Sequence, residues 1–340
     1  MDAIVLAGGF ATRLWPITRN RPKMLLPVGE TTVIDSLLAD LEADDRIDDV
    51  YVSTNEAFAD TFAEHLDNQP FEKPILSVEE TSDEASKFGV VGALAQLVER
   101  EDIDNDLLVV AGDNLVGFDL GEFVDFFEQE ETPSIAAYDV GSREKATSYG
   151  LVELDGKRVV DFQEKPDNPN STLVSIACYA FPKEVVPQFE TYLAEDNNPD
   201  EPGWFIQWLQ AQQPVHAFTF DDAWFDIGSS EGYLDAVSWA IDGDSQIAEN
   251  ALVENSELRD VSILPGADVR NSTLENVVVF PDTTIKDATL TRSVVDREAT
   301  VSGAVLVDST VGAHCDIEAT PEQLRQDDRD TERYEALTSE

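Results

Sequence analysis

Basic residues are scarce in this chain. Of 340 residues, 22 are Lys or Arg against 70 Asp or Glu, and only eight of the bases are lysines. The formal net charge is −48. Such a field disfavours nucleic-acid backbones, so no nucleic-acid partner is expected. The acids are spread along the whole sequence and read as a solvated surface suited to a high-salt, halophilic cytoplasm. Near 1 M salt the Debye length falls to about 3 Å, which screens the self-repulsion. Cysteine is limited to Cys178 and Cys315. Two distant cysteines exclude a disulfide framework and suggest buried thiols in a cytoplasmic protein. No apolar run approaches the ~20 residues of a membrane-spanning helix, so no membrane partner is expected. Met1-Asp2 leads directly into Ala3-Ile4-Val5-Leu6, without the basic and long apolar regions of a secretory signal. His65, His216 and His314 show no metal-ligand spacing.

What is present suits a large α/β domain followed by a smaller one, with 42% hydrophobic residues available for a core. Residues 2–7 read as a continuously apolar central strand. Residues 32–41, 57–66, 90–98 and 120–127 have helical spacing. They alternate with strands at 50–53, 73–78, 107–111 and 135–140. This pattern indicates a doubly wound α/β sheet, in which ligands sit beyond the carboxyl ends of the strands. Residues 148–181 look antiparallel. Asp155-Gly156-Lys157 turns a hairpin between 151–154 and 158–162, and a further strand follows at 173–181. Residues 182–193, 204–212 and 229–241 read as helices, and 215–220 as a strand.

Beyond about residue 245 the period changes. Aliphatic residues recur from Val253 to Ile317 in steps of 5, 5 and 6, a sixteen-residue repeat. Turn-like segments at Pro265-Gly266, Pro281-Asp282 and Gly312-Ala313 keep the same phase. A short fixed period with one inward aliphatic per side predicts a small three-sided β-solenoid, left-handed β-helix-like. The expected division is a catalytic domain at 1–244, a solenoid at 245–320 and a polar tail at 321–340. In the tail, Arg325, Arg329 and Arg333 suggest an exposed helix or a frayed end.

The first 30 residues stand out against the acidic background. They carry Arg13, Arg19, Arg21 and Lys23 against Asp2 and Glu30, which suggests an anion site. The strand at 2–7 ends in Ala7-Gly8-Gly9-Phe10-Ala11-Thr12-Arg13-Leu14-Trp15-Pro16, followed by Arg21-Pro22-Lys23-Met24-Leu25-Leu26-Pro27-Val28. Gly8 and Gly9 let the backbone approach a ligand and aim N–H groups at phosphate oxygens. Arg13 offers a forked donor and Lys23 a compact charge.

Together these residues closely resemble the signature of the sugar-1-phosphate nucleotidyltransferases, in particular the glucose-1-phosphate thymidylyltransferase and uridylyltransferase branch. The departure is Ala11, where that family usually has glycine. The resemblance extends to Phe88-Gly89-Val90-Val91-Gly92, Gly112-Asp113-Asn114, Tyr149-Gly150, Glu164-Lys165-Pro166 and Trp224-Phe225-Asp226-Ile227-Gly228.

The resemblance implies a Mg²⁺-dependent enzyme that joins a nucleoside triphosphate, dTTP or UTP, to a sugar 1-phosphate and releases pyrophosphate. Arg13 and Lys23 would be catalytic. Ala7, Gly8, Gly9, Thr12, Glu80 and Gly89 would contact the nucleotide. Pyrimidine-reading members carry a glutamine a few residues before the glycine segment; the nearest counterparts here are Glu79 and Glu80, at longer spacing. Tyr149, Gly150, Glu164 and Lys165 would contact the sugar phosphate. Asp113 and Asp226 would hold Mg²⁺, and a homo-oligomer is expected. The alternatives are a non-catalytic nucleotide-sugar-binding regulator and a hexapeptide-repeat acyltransferase.

Overall fold

The computed structural model describes residues 1–79 and 89–318. The chain divides into two compact units. One comprises residues 1–9 and 34–224, the other residues 10–33 and 225–340.

The first unit is built on a nine-stranded sheet. Its spatial order is Pro74–Glu79, Val50–Asn55, Asp2–Leu6, Leu107–Ala111, Leu173–Phe181, Ser134–Asp139, His216–Thr219, Arg158–Glu164, Gly150–Asp155. The first four strands are parallel. Leu173–Phe181 runs antiparallel to Leu107–Ala111, so the sheet is mixed. The central strands bury both faces; Ala3, Ile4, Val5 and Leu107 are all fully buried. That explains their unbroken apolar runs where an amphipathic strand would alternate. The chain leaves Asp2–Leu6 toward Val50–Asn55 on one side and later adds Leu107–Ala111 on the other. The strand order therefore reverses beside Leu6, and the crevice at such a switch point is where open α/β sheets bind ligands.

The core on one face gathers Phe181, Phe189, Phe205 and Tyr192 around helices Val90–Arg100 and Pro202–Gln210. Full burial of each such side chain contributes about 1.5–3 kcal/mol. The helix expected over 182–193 spans only Gln188–Ala194, because Pro187 occupies its N-cap and residues 183–187 form turns. Cys178 is buried as expected, whereas Cys315 is exposed, since it lies in the turn before the strand Asp316–Glu318.

In the second unit the strands pair in parallel at sixteen-residue steps. Leu258 pairs with Leu274, Leu274 with Leu290, and Leu290 with Leu306. A second sheet repeats the step through Val253, Val269, Ile285, Val301 and Ile317. The expected repeat and its register are therefore present. Each step carries three positive-φ positions: Asn255, Asn271, Asp287 and Gly303 form one series. Asp260, Asn276, Arg292 and Asp308 form the second, and Gly266, Asp282, Glu298 and His314 the third. Asn, Asp and Gly dominate because they tolerate the left-handed region best. The inner cluster contains Leu274, Val277, Val279, Ile285, Leu290 and Val301. Helix Ser230–Ala240, capped by the Ser229 side chain, packs against the strands Thr273–Val279 and Thr289–Val295. Residues 10–33 belong to this unit through long-range contacts. The Arg21 guanidinium donates to Asp296 at 2.9 Å and lies 4.7 Å from the Phe280 ring centroid. The buried Tyr233 hydroxyl donates to the Pro27 carbonyl at 2.7 Å.

Among the described residues, no helix is long and apolar enough to cross a membrane. The tail at 321–340 lies outside the described residues.

Candidate active site

Four parallel strands of the first unit end side by side, and their ends collect polar groups. Asp2–Leu6 opens into Ala7-Gly8-Gly9, Val50–Asn55 ends in Asn55, Pro74–Glu79 ends in Glu79, and Leu107–Ala111 is followed by Gly112-Asp113. The Asn55 amide donates to the Gly8 carbonyl at 2.8 Å, while its own carbonyl accepts the Phe58 N–H at 3.2 Å. The first bond fixes the glycine turn to the neighbouring strand, and the second orients the Asn55 side chain. Glu79 is 92% buried, at 8% exposure. Ser53 Oγ donates to its Oε1 at 3.2 Å. A Cβ on Gly8 would stand 3.4 Å from that same oxygen. Burial raises the Glu79 carboxyl above the ordinary carboxylate range; the Ser53 bond and the Arg100 charge oppose the rise. Glu80 lies outside the described residues.

Gly89 caps helix Val90–Arg100 at φ 74°, a left-handed conformation. A Cβ there would come within 2.6 Å of the Pro199 carbonyl carbon, so the position excludes side chains. The Val91 N–H donates to that Pro199 carbonyl at 2.9 Å. Asn114, beside Asp113, is buried; its amide donates to the Ile176 carbonyl, and its Oδ1 accepts the Trp224 indole N–H at 3.2 Å. Trp224 in turn meets Tyr149 edge-on at 5.1 Å between centroids.

Tyr149, Gly150, Glu164 and Lys165 come together at the other end of this sheet, where Gly150 pairs with Glu164 across the hairpin. The Lys165 N–H donates to the Tyr149 carbonyl at 3.1 Å. Gly150 is packed against Phe162, and a Cβ there would lie 3.0 Å from Glu164 Oε2. Gly203 faces the same carboxylate so closely that any Cβ would overlap it. Burial pushes the Glu164 carboxyl up to about 7; Lys165 lowers it and Glu201 raises it further. Lys165, expected to face a sugar phosphate, holds the Glu201 carboxylate.

The second unit carries the remaining candidates. Thr12 and Arg13 form a single 3₁₀ turn, Thr12–Leu14, and both are exposed. Ala11, which precedes it, has φ 49°. The departure from glycine therefore falls where glycine is conformationally favoured, and the backbone adopts the left-handed form nonetheless. The Thr18 hydroxyl donates to the Ala11 carbonyl at 2.8 Å, which holds the turn. Lys23 opens a second 3₁₀ turn, Lys23–Leu25, behind Pro22. Asp226 ends the strand Trp224–Asp226. A Cβ on Gly228 would lie 3.2 and 3.3 Å from its two carboxylate oxygens. Gly228 therefore packs closely against the Asp226 carboxylate.

Among the described residues, no group of three or more His, Cys, Asp or Glu side chains is arranged to hold a metal. Asp113 and Asp226 each carry a carboxylate, the hard oxygen donor that Mg²⁺ favours.

Sequence reasoning missed Ser53, Asn55, Glu201 and Gly203. Asn55 carried the signal of a polar residue at a strand end. The pairing of Glu201 with Lys165 spans 36 residues and had no local signal.

Comparison with known proteins identifies the family and the fold. The chain is 30% identical over 236 residues to a protein named as a mannose-1-phosphate guanyltransferase from Sulfolobus acidocaldarius, covering 69% of this chain and 61% of that protein. It is 26% identical to the bifunctional protein GlmU of Methanocaldococcus jannaschii, covering 78% of this chain and 61% of that protein. The chain thus spans about three-fifths of the length of these curated relatives. A crystal structure described as a glucose-1-phosphate thymidylyltransferase from Bacillus anthracis shares the fold. It has a TM-score of 0.60 at 22% identity and covers 71% of this chain and 96% of that one. Residues 2–242 match the family model described as "Nucleotidyl transferase", and the chain belongs to that family.

Proposed function

We propose that the protein is a sugar-1-phosphate nucleotidyltransferase that makes an NDP-sugar and pyrophosphate. The observation that carries this reading is the family match over residues 2–242, which includes the Gly8–Val28 signature. A sugar 1-phosphate is already a nucleophilic anion at neutral pH, so no general base is required. The obstacle is to bring it in line with an α-phosphate that is also negative. Positioning and charge neutralisation therefore carry the rate.

In this reading Gly8 and Gly9 approach the triphosphate with backbone N–H groups, alongside Ala7 and Thr12. Arg13 and Lys23 neutralise charge on the triphosphate and on the leaving pyrophosphate. Tyr149, Gly150 and Glu164 line the sugar side. The sugar phosphate displaces Glu201 from Lys165. Asp113 and Asp226 are the proposed Mg²⁺ ligands. Bound there, the ion would supply Lewis-acid charge neutralisation at phosphate oxygens.

The proposed domain division is 1–244, 245–320 and 321–340. The sixteen-residue repeat with three left-handed corners supports a three-sided β-solenoid for 245–320, serving packing and assembly of a homo-oligomer. A cytoplasmic location fits this chemistry, because nucleoside triphosphates are available there.

The test is a pyrophosphate-release panel of dTTP, UTP, GTP and ATP against glucose, mannose and N-acetylglucosamine 1-phosphates. It is run with Mg²⁺ at molar KCl. Release that requires both substrates is expected, with dTTP and UTP as the arms the sequence resemblance favours. No release from any pair would overturn the reading. Activity and solubility should rise between 0.1 and 2 M KCl if the acidic surface is adapted to salt; best activity in dilute buffer would contradict that.

A further inference from the structure

Lys165 is held in a way that a surface lysine does not need. Its backbone sits at φ 44°, in the left-handed region that residues other than glycine seldom enter. Its N–H donates to the Tyr149 carbonyl at 3.1 Å, which pins the strained turn beside Gly150. The ammonium then meets the Glu201 carboxylate, 36 residues away. Glu201 occupies the N-cap of helix Pro202–Gln210, yet its side chain makes no capping bond. The backbone on either side of it is anchored. Before it, the Pro199 and Asp200 carbonyls accept the Val91 and Val90 N–H groups at 2.9 and 3.3 Å. After it, Gly203 packs against Glu164 with no room for a Cβ. The paired side chains themselves are open to solvent, Lys165 42% exposed and Glu201 41%. A change of partner at Lys165 therefore needs only a rotamer change of Glu201, with its backbone left in place.

We propose that Glu201 is a surrogate anion for the sugar 1-phosphate. It neutralises Lys165 before substrate arrives, so that phosphate capture exchanges one anion for another and depends little on salt. The proposal rests on the nucleotidyltransferase reading, in which the phosphate displaces Glu201 from Lys165.

The salt dependence follows from which charges are in contact. Without Glu201 the ammonium would be neutralised by ions from solution. Phosphate capture would then form a new ion pair, whose attraction weakens as salt screens it. With Glu201 in place, one ion pair is broken for each one made, and screening acts on both alike. A half-exposed pair of this kind is weak enough to yield. The carboxylate is tethered, so its effective concentration at Lys165 is the same in any medium. The consequence is a lower affinity, because the phosphate must always displace a resident anion. Glu201 also raises the proton affinity of the neighbouring Glu164 carboxyl. A phosphate in its place keeps a negative charge beside Glu164, so the exchange leaves that carboxyl in a similar field.

The experiment titrates the full chain with inorganic phosphate, followed by ³¹P NMR, at several KCl concentrations between 0.2 and 2 M. Binding that is lost in Lys165→Gln defines the site. Wild-type affinity there should change by less than about twofold over the range. Glu201→Gln should bind phosphate about fivefold more tightly at the lowest salt, and the gain should shrink as KCl rises. Loss of folded protein cannot imitate a gain in affinity. Glu201→Asp keeps the charge on a shorter arm and should lie between the two. In a Lys165→Gln background, Glu201→Gln should change nothing. The same slopes should appear in KM for the sugar 1-phosphate and be absent from KM for the nucleotide. Weaker phosphate binding in Glu201→Gln would overturn the assignment, as would a salt slope equal to that of wild type. Tighter, salt-sensitive phosphate binding in Glu201→Gln without turnover of any substrate pair would uphold Glu201 and sink the proposed reaction.

Discussion

The nine-stranded sheet and the sixteen-residue ladders solve opposite problems. At the sheet's carboxyl ends no two positions are alike. Gly89 excludes a side chain because the Pro199 carbonyl stands beside it, and Gly203 because Glu164 fills the space. Each exception is made once, for one neighbour. In the ladders the same solution recurs every sixteen residues. Leu274, Leu290 and Leu306 stack inward, and the side chains of Asn255, Asn271 and Asp287 bond in series at 3.4 and 3.1 Å. Repetition spreads stability over many equivalent contacts, whereas the sheet ends hold buried charge beside backbone stripped of side chains. Chemistry should therefore be sensitive outside the ladders and structure within them.

The sharpest way to break the comparison is in the chemistry. Arg13→Ala or Lys23→Ala should lower turnover by ~10²-fold or more, about 3 kcal/mol of transition-state stabilisation, without lowering Tm. Steady-state kinetics with saturating Mg²⁺ checks it. In the ladders, Leu290 is fully buried, and Leu290→Ala should cost about 2–5 kcal/mol of stability. Chemical denaturation should show that loss, while KM for the nucleotide in the folded fraction stays unchanged.

A smaller effect is expected at a corner. Asn271 has φ 49°, so Asn271→Ala should cost about 1 kcal/mol or somewhat more, and Asn271→Gly less, since glycine keeps the conformation. Equal losses in the two variants would assign the cost to the Asn271–Asp287 bond instead.

The most diagnostic shift belongs to Glu164. Its folded carboxyl sits at about 7, above the ordinary value of 4.5, so the folded state holds its proton more tightly. The associated stability is full below pH 4.5 and is lost as pH rises through 7. Glu164→Gln cannot ionise. Its Tm relative to wild type should therefore rise across that window, as scanning fluorimetry at several pH values would show.

Legibility in the sequence followed the same division. The ladder period could be read from Val253 to Ile317 because every step repeats the same inward aliphatic, and the observed register keeps it through Val277-Val278-Val279. The apolar strands at 2–7 and 107–111 were legible because central parallel strands are buried on both faces. Local order also identified the glycine turn. Distant pairing was not legible. Arg21 meets Asp296 across 275 residues, and Lys165 meets Glu201 across 36. Neither partner has a periodic or local mark. Glu80, the expected nucleotide contact, lies outside the described residues, while its neighbour Glu79 is described. Strand alternation turns Glu79 inward toward Ser53, a fact that depends on where the strand ends.

The most direct test of the central claim is ³¹P NMR of a reaction containing one nucleoside triphosphate and one sugar 1-phosphate. Coupled diphosphate doublets of a nucleotide sugar should grow in step with a pyrophosphate singlet, and neither should appear when either substrate is omitted. Nucleotide consumed to NMP or NDP while the sugar phosphate resonance stays unchanged would contradict the account.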